Sequence, residues 1–141
     1  AGRRLNDGMG AYVSTQLIKT MIKKSIQVSG AKVLVLGLSF KENCPDVRNT
    51  KIIDIVSELQ EYNIDVDVYD PWVNVEEAEH EYGITPISAP RENHYDGIIM
   101  AVAHQEFIDM GIHNIRKMGK DSHIVYDLKY VFPKQDTDIR L

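Results

Sequence analysis

Phe40, Lys41 and Arg48 stand in the stretch GLSFKENCPDVRNT, residues 37–50, directly after the apolar run 33–36. Two cations in one loop, between a strand-like run and a helix-like one, fall where open α/β sheets bind anionic ligands. A guanidinium grips two oxygens of a phosphate at once, and an ammonium adds a point charge. Side chains are needed here because the turn lacks GxGxxG: Gly37 is followed by Leu38, Ser39 and Phe40. The close approach of a pyrophosphate to a helix N-terminus requires the absent glycines, so the stretch is a poor main seat for NAD. From spacing alone, an anion site and a solvated loop with incidental charge both stay open.

Other groups near this loop invite chemical readings. Asp46 is spaced to hold the Arg48 guanidinium or to serve as a helix-entry acid, and Pro45 stiffens the segment between them. Cys44 lies among cations that lower a thiol's pKa, but no His or other base pairs with it in the pattern, so it is not taken as a nucleophile. Asp70, Pro71 and Trp72 follow the run 65–69, where an acid in a dinucleotide fold meets a ribose. Without the glycine fingerprint they read instead as a strand stop with a packed tryptophan. His104 follows an apolar strand pattern; a lone His there is first a structural or capping residue and second a ligand contact. His80, His94, His113 and His123 show no ligand spacing with carboxylates or Cys44, so no metal is proposed.

The elements that must position these groups follow from periodicity. Val13, Leu17, Ile18, Met21, Ile22 and Ile26 recur at helical spacing, giving a helix from an Asn6 or Asp7 cap to about Val28. The run 33–36 reads as a central parallel strand. Asn49 or Thr50 opens a helix with Ile52, Ile53, Val56 and Leu59 on one face, closing near Asn63. Residues 65–69 alternate as a strand; 76–82 form a short acidic helix ended by Gly83, and 84–87 a brief strand. Residues 97–103 read as a buried strand, 107–110 and 112–118 as short helical turns, and 123–127 as the last strand before a polar tail. Strands alternating with helices give an α/β, Rossmann-like, doubly wound parallel sheet preceded by one long helix.

Composition narrows the function classes. With 141 residues and 43% hydrophobic content there is chain for one compact domain. Twenty-one acids against 16 Lys and Arg leave no basic surface for a nucleic-acid backbone, so any anion is held by a few placed cations. The single cysteine excludes an internal disulfide and suits a reducing compartment. No apolar run has membrane-spanning length and no signal core opens the chain, which makes a cytoplasmic protein the simplest expectation. The missing initiator Met and the opening within a helical pattern suggest a fragment.

The loop resembles the signature of the UDP-glucose/GDP-mannose dehydrogenase family, in whose C-terminal UDP-sugar-binding domain an FK pair and a later arginine recur. Beyond it, AGRRLNDGMGAYVS, SFKENCPDVRNTKIID, VDVYDPWV, LKYV and DIRL look most like the Vi-polysaccharide-type UDP-N-acetylhexosamine dehydrogenases, and the resemblance covers essentially the whole chain. It implies that Phe40, largely by its backbone, and Lys41 contact the UDP-sugar, and that Arg48 approaches NAD held mainly by another domain. Lys129, in DLKY where relatives carry arginine, becomes a further substrate contact. It implies residues 1–29 as the end of a central dimerisation helix region, with Arg3, Arg4, Asn6 and Asp7 toward the active site, and 30–141 as the UDP-sugar-binding domain. The catalytic Cys of the family, which carries the thiohemiacetal and thioester, would lie upstream of Ala1, so the chain alone should be inactive. The whole enzyme would be a homodimeric oxidoreductase that turns UDP-N-acetylglucosamine or UDP-N-acetylgalactosamine into the uronic acid for surface polysaccharide. Outside the resemblance, a stand-alone nucleotide-binding module or a dimerisation domain with a residual crevice stays open.

Overall fold

The computed structural model describes residues 2–48 and 50–141, with side chains from residue 8 onward. Ten elements follow one another: α1 (Gly2–Lys23), β1 (Lys32–Leu36), α2 (Ile52–Glu61), β2 (Asp65–Tyr69), α3 (Val75–Tyr82), β3 (Tyr95–Met100), α4 (Gln105–Arg116), β4 (Gly119–Asp127), a single 3-10 turn and β5 (Ile139–Arg140). The strands make one five-stranded sheet in the order β2-β1-β3-β4-β5. Every pairing is parallel, as the βαβ pattern requires.

Alternate residues of the inner strands feed two cores. Val33, Val35, Ile99, Ile124 and Tyr126 pack with Val13, Leu17 and Met21 of α1 and with Ile55, Val56 and Leu59 of α2. Leu34, Leu36, Ile98 and Met100 point the other way, against Phe107 and Ile115 of α4. A strand buried on both faces must be apolar without alternation, which is why KVLVL reads as a continuous run. The two helices on the first face touch at Gly10, where an added Cβ would come within 2.8 Å of Asp54. Glycine is therefore kept inside a helix, where it is otherwise unfavourable, by the close crossing.

Several expectations are corrected. Helix α1 begins at Gly2 and stops at Lys23, so Asn6 and Asp7 lie within it and it ends before Val28; Ser25 turns the chain at φ 60°. Ile22, expected in the core, is 61% exposed, while Ile26 packs against the core from the following loop. On α2, Ile55 is buried where Ile53 was expected. Residues 84–87 form no strand; one bond, from Ile87 N–H to the Val68 carbonyl, ties them to the sheet. The strand expected at 97–103 is β3, which begins and ends earlier, because Ala101 and Val102 turn back to share the Leu36 carbonyl. The middle strand of five is β3, and β1 lies beside it. The helical turns at 107–118 join as α4 across a break at Gly111, whose φ is 79°.

The polar tail supplies β5. Asp138 makes this possible: its carboxylate accepts from Val125 N–H at 2.7 Å and pairs with Lys24 and Arg116, both at 3.3 Å. Burial pushes the Asp138 carboxyl up, but Val125 N–H and the two cations outweigh it and hold the group below its ordinary value.

Candidate functional site

Strand order 2-1-3 reverses direction between β1 and β3, and in open parallel sheets ligands bind in the crevice at the carboxyl ends of the strands at such a switch. Three chain segments arrive there. The loop after β1 brings Ser39, Phe40 and Lys41; the turn after β3 brings Ala101 and Val102; the turn after β4 brings Lys129. With Thr50, Lys51 and Ile52 at the start of α2, and Glu42, they enclose a cavity of about 190 Å³. Three of the predicted residues, Phe40, Lys41 and Lys129, thus meet in one place although Lys129 is distant in sequence.

Gly37 lets these segments approach. Its φ is +107°, and a Cβ there would fall 2.5 Å from Cβ of Val102, so the residue serves close packing of the β3 turn. Phe40 donates its N–H to the Asp46 carbonyl, closing the loop on itself, while its ring is 57% exposed. Lys129 is set by a turn in which buried Asp127 accepts from the N–H groups of Lys129 and Phe132. Among the described residues no carboxylate pairs with Lys41, Lys51 or Lys129. Ammonium groups gathered without an acid partner, over the start of a helix, are suited to an anion.

Arg48 faces elsewhere. It lines a second cavity, of about 550 Å³, with Cys44, Trp72 and three residues of α3, Glu77, His80 and Glu81. Asp46 holds it through Oδ1 to Nε at 3.1 Å and Oδ2 to Nη2 at 3.3 Å, and also accepts from Arg48 N–H. The hydrogen bonds from Arg48 keep the Asp46 carboxyl below its usual value, and Asp46 raises Arg48 in turn. Of the two readings of Asp46, the structure shows orientation of the arginine. The backbone between them is anchored where Tyr82 Oη donates to the Val47 carbonyl. Cys44 is a half-buried free thiol on this cavity; His80 shares the cavity with no hydrogen bond between them.

Asp70 and His104, which the sequence reading placed second to the loop, prove to hold it. Both are buried, at the ends of β2 and β3. Asp70 Oδ2 accepts from Leu38 N–H at 2.7 Å, Ser39 N–H at 2.9 Å and His104 Nε2 at 2.9 Å, while Oδ1 accepts from Trp72 N–H. Burial raises the Asp70 carboxyl, but His104 and then the three N–H groups overcome it and lower the group below its ordinary value. Asn43 N–H donates to His104 Nδ1 at 2.9 Å; since a backbone N–H can only donate, Nδ1 is the acceptor and Nε2 carries the hydrogen. That hydrogen faces both Asp70 and, at 3.0 Å, Ser39 Oγ, whose hydroxyl donates to the Lys41 carbonyl. Ser39, His104 and Asp70 are not a nucleophile triad: serine and acid share the same ring nitrogen, and Ser39 is buried. Asp70 and His104 thus tie the loop to the ends of β2 and β3, with Trp72 stacked on the His104 ring at 6.0 Å and its indole N–H on Glu106.

Lys51 and this buried network were missed. Lys51 sits beside the apolar face of α2 with no periodic signal of its own, and the Asp70–His104 contact spans two strand ends that only the folded sheet brings together. The side chains of Arg3, Arg4, Asn6 and Asp7 and the whole of Asn49 lie outside the described residues. Among the described residues no group of three or more His, Cys, Asp or Glu is disposed to hold a metal ion, and no helix is long and apolar enough to cross a membrane.

Comparison with known proteins agrees with this geometry. Residues 34–134 match the family model for the UDP-glucose/GDP-mannose dehydrogenase family, UDP binding domain. The whole chain is 64% identical to 33% of a UDP-N-acetyl-D-glucosamine 6-dehydrogenase of Pseudomonas aeruginosa, and 61% identical to 33% of the same-named enzyme of Salmonella typhi. It therefore spans about a third of the length of the curated relatives it matches. A solved UDP-D-ManNAc dehydrogenase from Pyrococcus horikoshii superposes with a TM-score of 0.78 at 25% identity, over 98% of this chain and 31% of that one. The chain belongs to the UDP-glucose/GDP-mannose dehydrogenase family, as its UDP binding domain.

Proposed function

We propose that the chain is the UDP-sugar-holding part of an NAD-dependent UDP-N-acetylhexosamine 6-dehydrogenase. The observation that carries this is the convergence of Phe40, Lys41 and Lys129 on one cavity at the β1/β3 switch, with no acid paired to either lysine among the described residues. In this reading Lys41 and Lys129 take the diphosphate and Phe40 offers its backbone carbonyl and ring face to the nucleotide. A cavity of about 190 Å³ is smaller than the roughly 300–1,000 Å³ of a complete small-molecule site, so the rest of the enzyme closes over the sugar.

The residues present do not fit the main seat of NAD: the β1 turn lacks the glycine fingerprint, and Gly37 packs against Val102 instead of opening to a phosphate. Arg48, held out from the loop by Asp46, is the group proposed to reach NAD carried by another part of the enzyme. The task of this domain is positioning, which supplies several kcal/mol of a barrier when a reacting carbon is held in place. The whole enzyme is proposed to oxidise the C6 hydroxyl to a carboxylate, as a cytoplasmic homodimer joined through the region of residues 1–29, and to feed surface polysaccharide. The relatives above 60% identity favour UDP-N-acetylglucosamine over UDP-N-acetylgalactosamine. Titration calorimetry of the intact enzyme with each sugar nucleotide tests this. Binding of neither would refute the reading.

A further inference from the structure

We propose that His104 is a positioning residue of the UDP-sugar cavity, the buried post that holds the loop backbone on both sides of Lys41. The inference rests on the reading of that cavity as the UDP-sugar site. An imidazole fully removed from solvent is tolerated only when both nitrogens are paired, and here both point into the same loop. Nε2–H is shared between Asp70 Oδ2 at 2.9 Å and Ser39 Oγ at 3.0 Å, and the Ser39 hydroxyl donates to the Lys41 carbonyl; Nδ1 receives Asn43 N–H. Asn43 in turn closes the circuit, because its Oδ1 accepts from Gln105 N–H at 2.8 Å at the start of α4. Its backbone φ of 53° is one that asparagine tolerates.

Lys41 is exposed and forms no ion pair among the described residues, so its placement depends on its backbone. That backbone lies between two residues tied to one ring. Trp72 and Phe107 pack against the ring, at 6.0 and 5.5 Å between centroids, and the ring is fully buried. A histidine here does what an apolar residue of similar size would not: it converts the packing of β2 and β3 into a fixed loop.

The test is steady-state kinetics of the intact enzyme with two substitutions that divide the ring. His104→Gln keeps a donor toward Asp70 and Ser39 but has no acceptor at the position of Nδ1, where Asn43 N–H donates; Asn43→Gly keeps the left-handed backbone but removes the tie to α4. The expected result for His104→Gln is a KM for the UDP-sugar raised about tenfold, with kcat and the KM for NAD within about twofold. Asn43→Gly should raise the same KM about threefold, and it decides the matter if the His104 variant does not fold. An unchanged UDP-sugar KM in folded variants would overturn the positioning role while leaving the assignment of the cavity intact. A wild-type enzyme with no activity on any UDP-sugar would overturn both.

Discussion

The signature loop has two arms that handle charge in opposite ways. On one arm Lys41, joined by Lys51 and Lys129, forms no ion pair with a carboxylate among the described residues. On the other, Arg48 is gripped by Asp46 and extends with 75% of its side chain exposed. Unpaired ammonium groups in a concave site are free to take an anion with full charge, and they are small enough to follow it. A guanidinium already oriented by an acid offers direction and partial charge, which suits a contact with something docked from outside. One loop thereby presents two cations to two spaces, while the buried Asp70–His104 pair ties the start of that loop to the sheet.

Asp70→Asn is the most severe way to break the comparison, because it loosens both arms together. Losing a charged acceptor shared by three N–H groups and an imidazole should lower stability by about 2–3 kcal/mol, measured by urea unfolding. The sign of its pH dependence is fixed. The folded carboxyl lies below its ordinary value, so its stabilisation is complete above the unfolded carboxylate range and is lost as pH falls through the lower folded value. The Asn variant should therefore be less sensitive to acid than the wild type, with Asp138, shifted in the same direction, left as a source of the remaining slope.

Smaller changes sharpen the contrast between the arms. Lys51→Ala removes a solvated charge near the start of α2 and should weaken binding of the UDP-sugar only about two- to fivefold by calorimetry, with the deficit shrinking as salt rises. Asp46→Asn should leave UDP-sugar affinity unchanged and alter NAD use less than Arg48→Ala does, since the pair orients an exposed side chain and does not supply its charge.

The legibility of the sequence divides along similar lines. The β1 run, the α2 helix and the loop between them are local patterns and stand close to where periodicity placed them, apart from Ile55 taking the buried position expected of Ile53. The fifth strand was not legible: Ile139 and Arg140 pair with β4 because Asp138 is satisfied by groups from the turn after α1, from α4 and from β4, and no local pattern announces that. The extra residues of helix expected to Val28 were lost to the turn at Ser25. Of the site, Phe40, Lys41 and Arg48 were visible as a motif, whereas Lys51 and the clamp on His104 depend on which strand ends become neighbours. The order β2-β1-β3 decides that, and the order is a property of the folded sheet.

Steady-state kinetics of Lys41→Ala and Arg48→Ala in the intact enzyme, varying the UDP-sugar and NAD in turn, test the division between the arms most directly. A charged hydrogen bond contributes on the order of 1.5–3 kcal/mol, so Lys41→Ala should raise the KM for the UDP-sugar about tenfold or more and leave that for NAD nearly unchanged. Arg48→Ala should weaken NAD use or lower turnover at saturating UDP-sugar. Equal increases in the UDP-sugar KM from both substitutions, with NAD unaffected, would contradict the division and make the loop a single phosphate clamp.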